Sequence, residues 1–216
     1  MIVSEIFLSI QGESTYAGLP CAFVRLAGCN LSCDWCDTAY ARVSDGAVEV
    51  SVDKIVGEVE GFNCRLVEIT GGEPLLQEES REAAVRLLDR GFTVLIETNG
   101  SVDMRGLDPR VIKIVDVKCP SSGHAGSFKV ENLSCITPRD EIKFVIADRT
   151  DYEFAKKCLE EFIEDRTDKV LFAPVSPGLP PGVLADWILK DMLRVRLQLQ
   201  LHRYIWEEGG GAGRGR

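Results

Sequence analysis

Three cysteines, Cys29, Cys33 and Cys36, lie within eight residues near the N-terminus. Their C-x₃-C-x₂-C spacing lets three thiolates surround one metal centre. Structural zinc sites use four nitrogen or sulfur ligands, usually in two spaced pairs, whereas His124 and His202 are far away in the sequence. A four-iron cluster usually takes four cysteines, so three would leave one iron open to a ligand from outside the protein. The loop therefore favours a substrate-binding 4Fe–4S cluster, with zinc or an incidental group of cysteines as the alternatives.

The other five of the eight cysteines stand singly along the chain. The first residues show neither the basic nor the apolar stretch of a signal peptide, and no apolar run approaches about 18 residues. We therefore expect a reducing, cytoplasmic location with no membrane association. Isolated cysteines in that setting are more often small packing residues than ligands, which is the prediction for Cys21, Cys64, Cys119, Cys135 and Cys158.

The charge of the chain limits its partners. Its 216 residues include 25 Lys and Arg against 34 Asp and Glu, for a formal net charge of −9. Because neutralising phosphates requires clustered Lys and Arg, direct nucleic-acid binding is not expected. The length suggests a single domain over residues 1–208, and the Gly- and Arg-rich residues 209–216 read as a disordered tail.

The elements that must position the cysteines alternate between β-rich runs and helical patterns. Such alternation predicts βαβ units and a mostly parallel sheet, and six units are too few for an eight-stranded barrel. A partial barrel or an open doubly wound sheet fits. Strands are predicted at residues 21–27, 66–70, 93–98, 111–117, 141–146 and 170–174, an extra edge strand at 2–9, and helices at 52–61, 78–90, 151–166 and 181–193.

The segments just after these strands carry most of the candidate chemistry: TGGEP, ETNG, VKCPSSG and APVSPG follow four of them, and the cysteine loop follows the first. Ligands of parallel α/β folds bind at the carboxyl ends of the strands. Strand-to-helix turns also need such small and polar residues for structural reasons, so the cysteine loop decides in favour of a site at this end.

This loop resembles that of the radical S-adenosylmethionine (SAM) enzymes. The similarity includes the cysteine spacing, the aromatic Trp35 before the third cysteine, and Gly71-Gly72-Glu73-Pro74 after the next strand. It implies an α/β fold, a partial (β/α)₆ barrel with an N-terminal extension and a short C-terminal segment. It also implies a 4Fe–4S cluster on the three cysteines, with the open iron chelating the amino and carboxylate groups of SAM.

Within that superfamily the chain resembles the 7-carboxy-7-deazaguanine synthases. The similarity rests on the Gln11-Gly12-Glu13 segment, Cys36-Asp37-Thr38, Arg25 and the ending 196–202, and it extends over residues 5–206. It implies a ring contraction in which a 5′-deoxyadenosyl radical abstracts hydrogen from C6 of 6-carboxy-5,6,7,8-tetrahydropterin. The rearranged substrate loses ammonia and gives the precursor of the tRNA nucleosides queuosine and archaeosine.

The resemblance also implies roles for individual residues. Thr38 corresponds to a Mg²⁺ ligand, a role compatible with an ion that keeps several waters. The substrate positions are Ile10, Gln11, Gly12, Arg25, Thr70, Gln200 and His202. The SAM positions are Trp35, Cys36, Asp37, Gly72, Glu73, Asp116, Val117, Lys118, Ala173, Pro174, Val175 and Ser176.

Several of these assignments have alternatives. Residues 10–12 are either the substrate segment or a surface turn. Residues 116–118 stand where relatives often carry Ser-Pro-Lys, and Ala173 stands where they carry Gln. The sequence therefore does not decide whether either segment contacts SAM. Arg25 lies among apolar residues and needs an anion, either the substrate carboxylate or an acidic side chain. Gln200 and His202 line a pocket or belong to a solvated strand.

The same resemblance implies a homodimer and an electron donor such as flavodoxin or ferredoxin. Two other functions compete with it. A radical SAM activase would abstract hydrogen from a glycine of a partner protein, although QGE and CDT argue against it. A non-catalytic module would use the three cysteines only to bind zinc or a transferred cluster.

Overall fold

The chain folds around a nine-stranded sheet. The computed structural model describes residues 1–163 and 166–206, so the predicted tail at 209–216 lies outside the described residues. The strands follow the order β3-β1-β2-β4-β5-β6-β7-β8-β9 across the sheet. In chain order they are β1 (Ile2–Ile10), β2 (Pro20–Leu26), β3 (Val48–Glu49), β4 (Leu66–Gly71), β5 (Thr93–Thr98), β6 (Ile112–Asp116), β7 (Glu141–Ile146), β8 (Val170–Pro174) and β9 (Arg196–Leu197).

Every strand pair from β2 to β9 is parallel. β1 instead pairs antiparallel with β2 and β3. β1 is therefore second from the edge, because the two residues of β3 lie outside it. The open, mostly parallel α/β sheet confirms the predicted partial barrel.

Four helices cover the outer face of the sheet, and each has a local reason to begin where it does. Ser51 accepts a hydrogen bond from Lys54 N and caps α1 (Val52–Gly61), while the side chain of Asp148 caps α3 (Arg149–Cys158). Acidic residues occupy the first turn of α2 (Glu79–Asp89), where they complement the helix dipole, and Pro181 begins α4 (Pro181–Lys190).

The helix predictions differ from the structure in three respects. The predicted helix at 151–166 is divided into α3 and a π-helical turn over Leu159–Ile163. The helix predicted to reach residue 193 ends at Lys190, and α5 (His202–Ile205) was not predicted. Residues 99–111 and 117–140, all of them described, contain no α-helix, and the second of these ranges has 3₁₀ turns at Pro120–Ser122 and Val130–Cys135.

The strands separate two apolar clusters. The larger one lies between the sheet and the helices. The smaller one fills the bottom of the barrel interior with Cys21, Phe23, Leu66, Leu95, Ile112 and Ile114. Above this apolar floor, at the carboxyl ends of the strands, the interior becomes polar, and this layer holds the site. Within the described part of the chain, no helix is long and apolar enough to cross a membrane.

Candidate active site

A cavity opens at the carboxyl ends of the parallel strands. All seven residues predicted for the substrate line it: Ile10, Gln11, Gly12, Arg25, Thr70, Gln200 and His202. So do most residues predicted for the metals and SAM: Cys33, Trp35, Cys36, Asp37, Thr38, Asp116, Lys118, Ala173, Pro174, Val175 and Ser176. The tertiary structure thus brings separate segments to one place. Cys29, Gly72, Glu73 and Val117 are not part of the cavity wall.

The cysteine loop is fixed by the segment that follows β6. Ser32 N donates to His124 Nε2 at 2.9 Å, and Trp35 Nε1 donates to Ser121 Oγ at 2.9 Å. Ser121 is itself bound to the buried carboxylate of Asp151, which also accepts from Ser121 N. His124 is therefore in direct contact with the cysteine loop in the folded chain, where its ring nitrogen Nε2 accepts a backbone hydrogen bond.

The donor set of the loop, three free thiols, fits a 4Fe–4S cluster. Across residues 1–163 and 166–206, no group of three or more Cys, His, Asp or Glu side chains could hold one metal ion. A four-iron cluster distributes its thiolates over separate irons, so the three sulfurs need not converge. Burial raises the pKa of the Cys29 and Cys33 thiols, while Lys118 opposes that shift. Positively charged iron would favour the thiolates, as metal binding does generally.

The Gly71-Gly72-Glu73 turn packs directly against the start of the cysteine loop. Gly72 N donates to Leu26 O at 3.0 Å, and Glu73 N donates to Gly28 O at 2.8 Å. A Cβ atom on Gly72 would lie 2.0 Å from Gly28 O, so only glycine allows this approach. The turn thereby positions the loop through its backbone.

The Glu73 side chain joins two strand ends and does not face the cavity. It is fully buried and accepts hydrogen bonds from Thr98 Oγ1 at 2.8 Å, Asn99 N at 2.7 Å and Leu75 N at 3.0 Å. Burial raises its pKa, and these donors act in the opposite direction. The structure therefore assigns this carboxylate a bracing contact between β4 and β5.

Gln11 uses both ends of its amide within the protein. Its Nε2 donates to Glu68 Oε2 at 2.5 Å, and its Oε1 accepts from Glu13 N at 3.1 Å. Glu68 lies inside the barrel on β4, where burial first and the nearby Glu97 second raise its pKa. Sequence reasoning had not assigned Glu68 to the site.

The segment from Gln11 to Tyr16 crosses the open side of the partial barrel. Ser14 N donates to Gln198 Oε1 at 2.7 Å, and the backbone of Thr15 donates to the Glu141 carboxylate. Gly12 O accepts from Leu201 N at 2.9 Å. Two distant parts of the chain, near each terminus, thereby close the cavity together.

Gln200 and His202 belong to this closure, so the pocket-lining alternative holds for both. Gln200 Nε2 donates to Glu13 Oε1 at 2.8 Å and to Asp37 Oδ2 at 2.9 Å. His202 packs on Gly12, where a Cβ atom would lie 2.4 Å from His202 Nδ1. Burial lowers the pKa of His202, and the charges of Glu13 and Asp37 oppose that shift.

Arg25 has an acidic side-chain partner. Its Nε donates to Glu5 Oε1 at 2.9 Å, and Tyr40 donates to the same oxygen at 2.7 Å. The guanidinium also lies over the Phe7 ring, which stacks on Phe23. The sequence allowed either the substrate carboxylate or an acidic side chain as the anion beside Arg25, and the structure shows the acidic side chain, Glu5. Arg25 also lines the cavity.

A charged cluster forms the deep wall of the cavity. Lys143 Nζ lies 3.0 Å from Glu13 Oε2, contacts Glu97 Oε1, and lies 3.6 Å from Asp116 Oδ2. Asp116 Oδ2 also pairs with Lys118 at 2.8 Å. Burial alone would raise the pKa of Asp116, but the two ammonium groups hold it below its ordinary value. Of this cluster, Lys143 gave no signal in the sequence.

The comparisons with known proteins agree with this arrangement. Residues 24–187 match the radical SAM superfamily. The sheet, the cysteine loop and the cavity thus define a radical SAM protein.

Sequence relatives identify the family within the radical SAM superfamily. The chain is 48% identical over 221 aligned positions to the 7-carboxy-7-deazaguanine synthase of Koribacter versatilis, covering 95% of this chain and 97% of that protein. It is 44% identical to the enzyme of the same name from Chlorobaculum tepidum, covering 94% and 93%. It therefore belongs to the 7-carboxy-7-deazaguanine synthase family. The crystal structure of QueE from Escherichia coli shares the fold, with a TM-score of 0.76 and 24% identity over 91% of this chain and 93% of that one.

Proposed function

We propose that this protein is a radical SAM carbon–nitrogen lyase that converts 6-carboxy-5,6,7,8-tetrahydropterin to 7-carboxy-7-deazaguanine with loss of ammonia. The product leads to the 7-deazapurines of queuosine or archaeosine. The observation that carries the proposal is a single cavity with the cysteine loop on one side and carboxylate and amide side chains on the other, in a chain of this family.

The cysteine side of the cavity fits the cofactors. Cys29, Cys33 and Cys36 would hold a 4Fe–4S cluster, which when bound supplies the electron for reductive cleavage of SAM. Trp35 and Lys118 form the adjoining wall, with Lys118 Nζ 5.4 Å from the centre of the Trp35 ring. The hydrogen bond from Trp35 Nε1 to Ser121 Oγ orients the indole in this wall.

The opposite side fits a reduced pterin. Its exocyclic amine and ring N–H groups are hydrogen-bond donors, and the cavity offers the carboxylates of Glu13 and Glu97 and the carboxyl group of Glu68 as acceptors. The stacked Phe7 and Phe23 provide an apolar surface beside them. Arg25 supplies a positive charge for the substrate carboxylate.

Mg²⁺ is part of the proposal through Thr38. Its hydroxyl lies in the cavity wall, 3.8 Å from the Cys36 sulfur. A single protein oxygen is compatible with Mg²⁺, which retains waters and takes further ligands from a substrate carboxylate. We also propose a cytoplasmic homodimer that takes electrons from a flavodoxin or ferredoxin.

Anaerobic reconstitution tests the function. The protein is loaded with iron and sulfide and incubated with SAM, a reductant, Mg²⁺ and carboxytetrahydropterin, and the products are analysed by mass spectrometry. Carboxydeazaguanine is expected. Formation of 5′-deoxyadenosine without a deazapurine would exclude this substrate but keep the class, as for an activase. Zinc without iron–sulfur absorbance would exclude both.

Two cysteine variants provide the matched controls. Cys33→Ala is expected to lose the cluster and SAM cleavage. Cys158→Ala removes a buried thiol of α3 in the apolar cluster between the sheet and the helices, and this variant should retain both. Equal iron content in the two variants would contradict the assignment of the cluster to the loop.

A further inference from the structure

Lys143 is a buried charge in the interior of the barrel. It lies at the middle of β7, its side chain is 6% exposed, and it lines the cavity. Burial alone would lower its pKa, but Glu13, Glu97 and Asp116 hold that pKa well above the ordinary value. The lysine is therefore a fixed cation below the proposed substrate.

This cation joins three separate elements. Glu13 belongs to the segment that closes the open side, Glu97 to β5 and Asp116 to β6. Each glutamate also has a neutral donor: Glu13 accepts from Gln198 Nε2 at 2.9 Å, and Glu97 accepts from Thr70 Oγ1 at 3.1 Å. Both carboxylates are thus held in defined directions at the cavity wall.

Stability of the fold is a weak explanation for this cluster. Directly below it the interior is closed by apolar side chains such as Leu95, Ile112 and Ile114. Removing charges from water costs free energy that their mutual attraction often fails to recover, so apolar replacement is frequently neutral or stabilising. A function at the cavity therefore explains the cluster better than stability does.

We propose that Lys143 is a positioning residue that aims the carboxylates of Glu13 and Glu97 at the N–H groups of the substrate. This inference rests on the proposed function. Without the ammonium group, the two carboxylates would lose the positive charge that holds them together, and their mutual repulsion would turn at least one of them away. The substrate would then lose an acceptor, whereas the cluster and SAM would keep their contacts.

The test compares three variants of the reconstituted enzyme. Lys143→Met keeps the length of the side chain and removes the charge, and Lys143→Arg keeps the charge. Lys113→Met is the matched control: Lys113 is 4% exposed on β6 and pairs with Asp140 at 2.9 Å, away from the cavity. Affinity for carboxytetrahydropterin is measured by anaerobic calorimetry, with SAM affinity and the cluster signal in electron paramagnetic resonance as references.

For Lys143→Met we expect substrate affinity to fall on the order of tenfold to hundredfold, the range for one hydrogen-bonding group that loses its partner in a buried site. SAM affinity and the cluster signal should stay unchanged, and Lys143→Arg should recover part of the loss. Lys113→Met should lower only the melting temperature. If Lys143→Met does not fold, Lys143→Gln is measured in its place.

Substrate affinity in the Lys143 variants equal to that of Lys113→Met would overturn the inference. That result differs from failure of the proposed function, in which the unmodified protein itself would neither bind nor convert the pterin.

Discussion

A substitution of Glu73 distinguishes clearly between two roles for its carboxylate, a contact with SAM and a structural contact between strand ends. It belongs to the glycine-rich turn that the resemblance associates with SAM, yet it is fully buried and takes three hydrogen bonds from the protein. Glu73→Gln keeps the shape of the side chain and replaces one oxygen with an NH₂ group. The exchange therefore tests what the two oxygens do.

The structure sets the size of the effect. Asn99 N donates to Oε2, whereas Leu75 N and Thr98 Oγ1 donate to Oε1. In either orientation the new NH₂ group faces a backbone N–H, so at least one hydrogen bond is lost. Such a loss in a buried site costs about 1–3 kcal/mol. For a chain of this size, this corresponds to a melting temperature lower by about 2–12 °C.

Differential scanning calorimetry on the reconstituted protein without SAM measures this change directly. Glu58→Gln on the exposed face of α1 is the control and should leave the melting temperature unchanged. An unchanged melting temperature for Glu73→Gln together with lost SAM affinity would refute the reasoning, because the carboxylate would then act on the ligand.

Three further outcomes are expected. Gly12→Ala should displace His202, since its Cβ atom would lie 2.4 Å from Nδ1, and calorimetry should show weaker pterin binding with the iron content unchanged. Burial raises the pKa of Glu68 above its ordinary value of 4.5. As the pH rises above 4.5, the folded state therefore keeps a proton that the unfolded chain loses, and the stability of the folded state falls. Glu68→Gln should therefore gain melting temperature relative to the parent between about pH 5 and about pH 7; a constant difference would contradict the shift. Thr38→Ala should reduce the response of turnover to Mg²⁺ while iron–sulfur absorbance persists, and an unaltered Mg²⁺ titration would remove Thr38 from the metal site.

Much of the site could be predicted because its signals are local. Three cysteines within eight residues must lie on one loop, whatever the fold around them. The β-rich runs that precede polar loops predict parallel strands, and such strands place their carboxyl ends together. Within the described residues, every substrate position inferred from resemblance accordingly lines one cavity.

Other contacts depend on pairings that local sequence does not encode. The amide of Gln11 is occupied by Glu68, 57 residues away, and Glu13 meets Lys143 across 130 residues. His124 reaches the cysteine loop across 92 residues, a separation that the sequence argument had counted against a shared zinc site. These contacts depend on the tertiary structure, in particular on the path of residues 11–16 across the open side of the barrel.

Two lysines show most clearly what the local sequence cannot reveal. Lys113 in VIKIVDV and Lys143 in EIKFVI have nearly the same neighbours. Strands of a parallel sheet are buried on both faces, so alternation of polar and apolar residues does not reveal which face a side chain takes. The sequence by itself determined the cluster loop, the parallel strands and the family. Only the tertiary structure decided that Lys143 faces the cavity and that Lys113 pairs with Asp140 on the other side of the sheet.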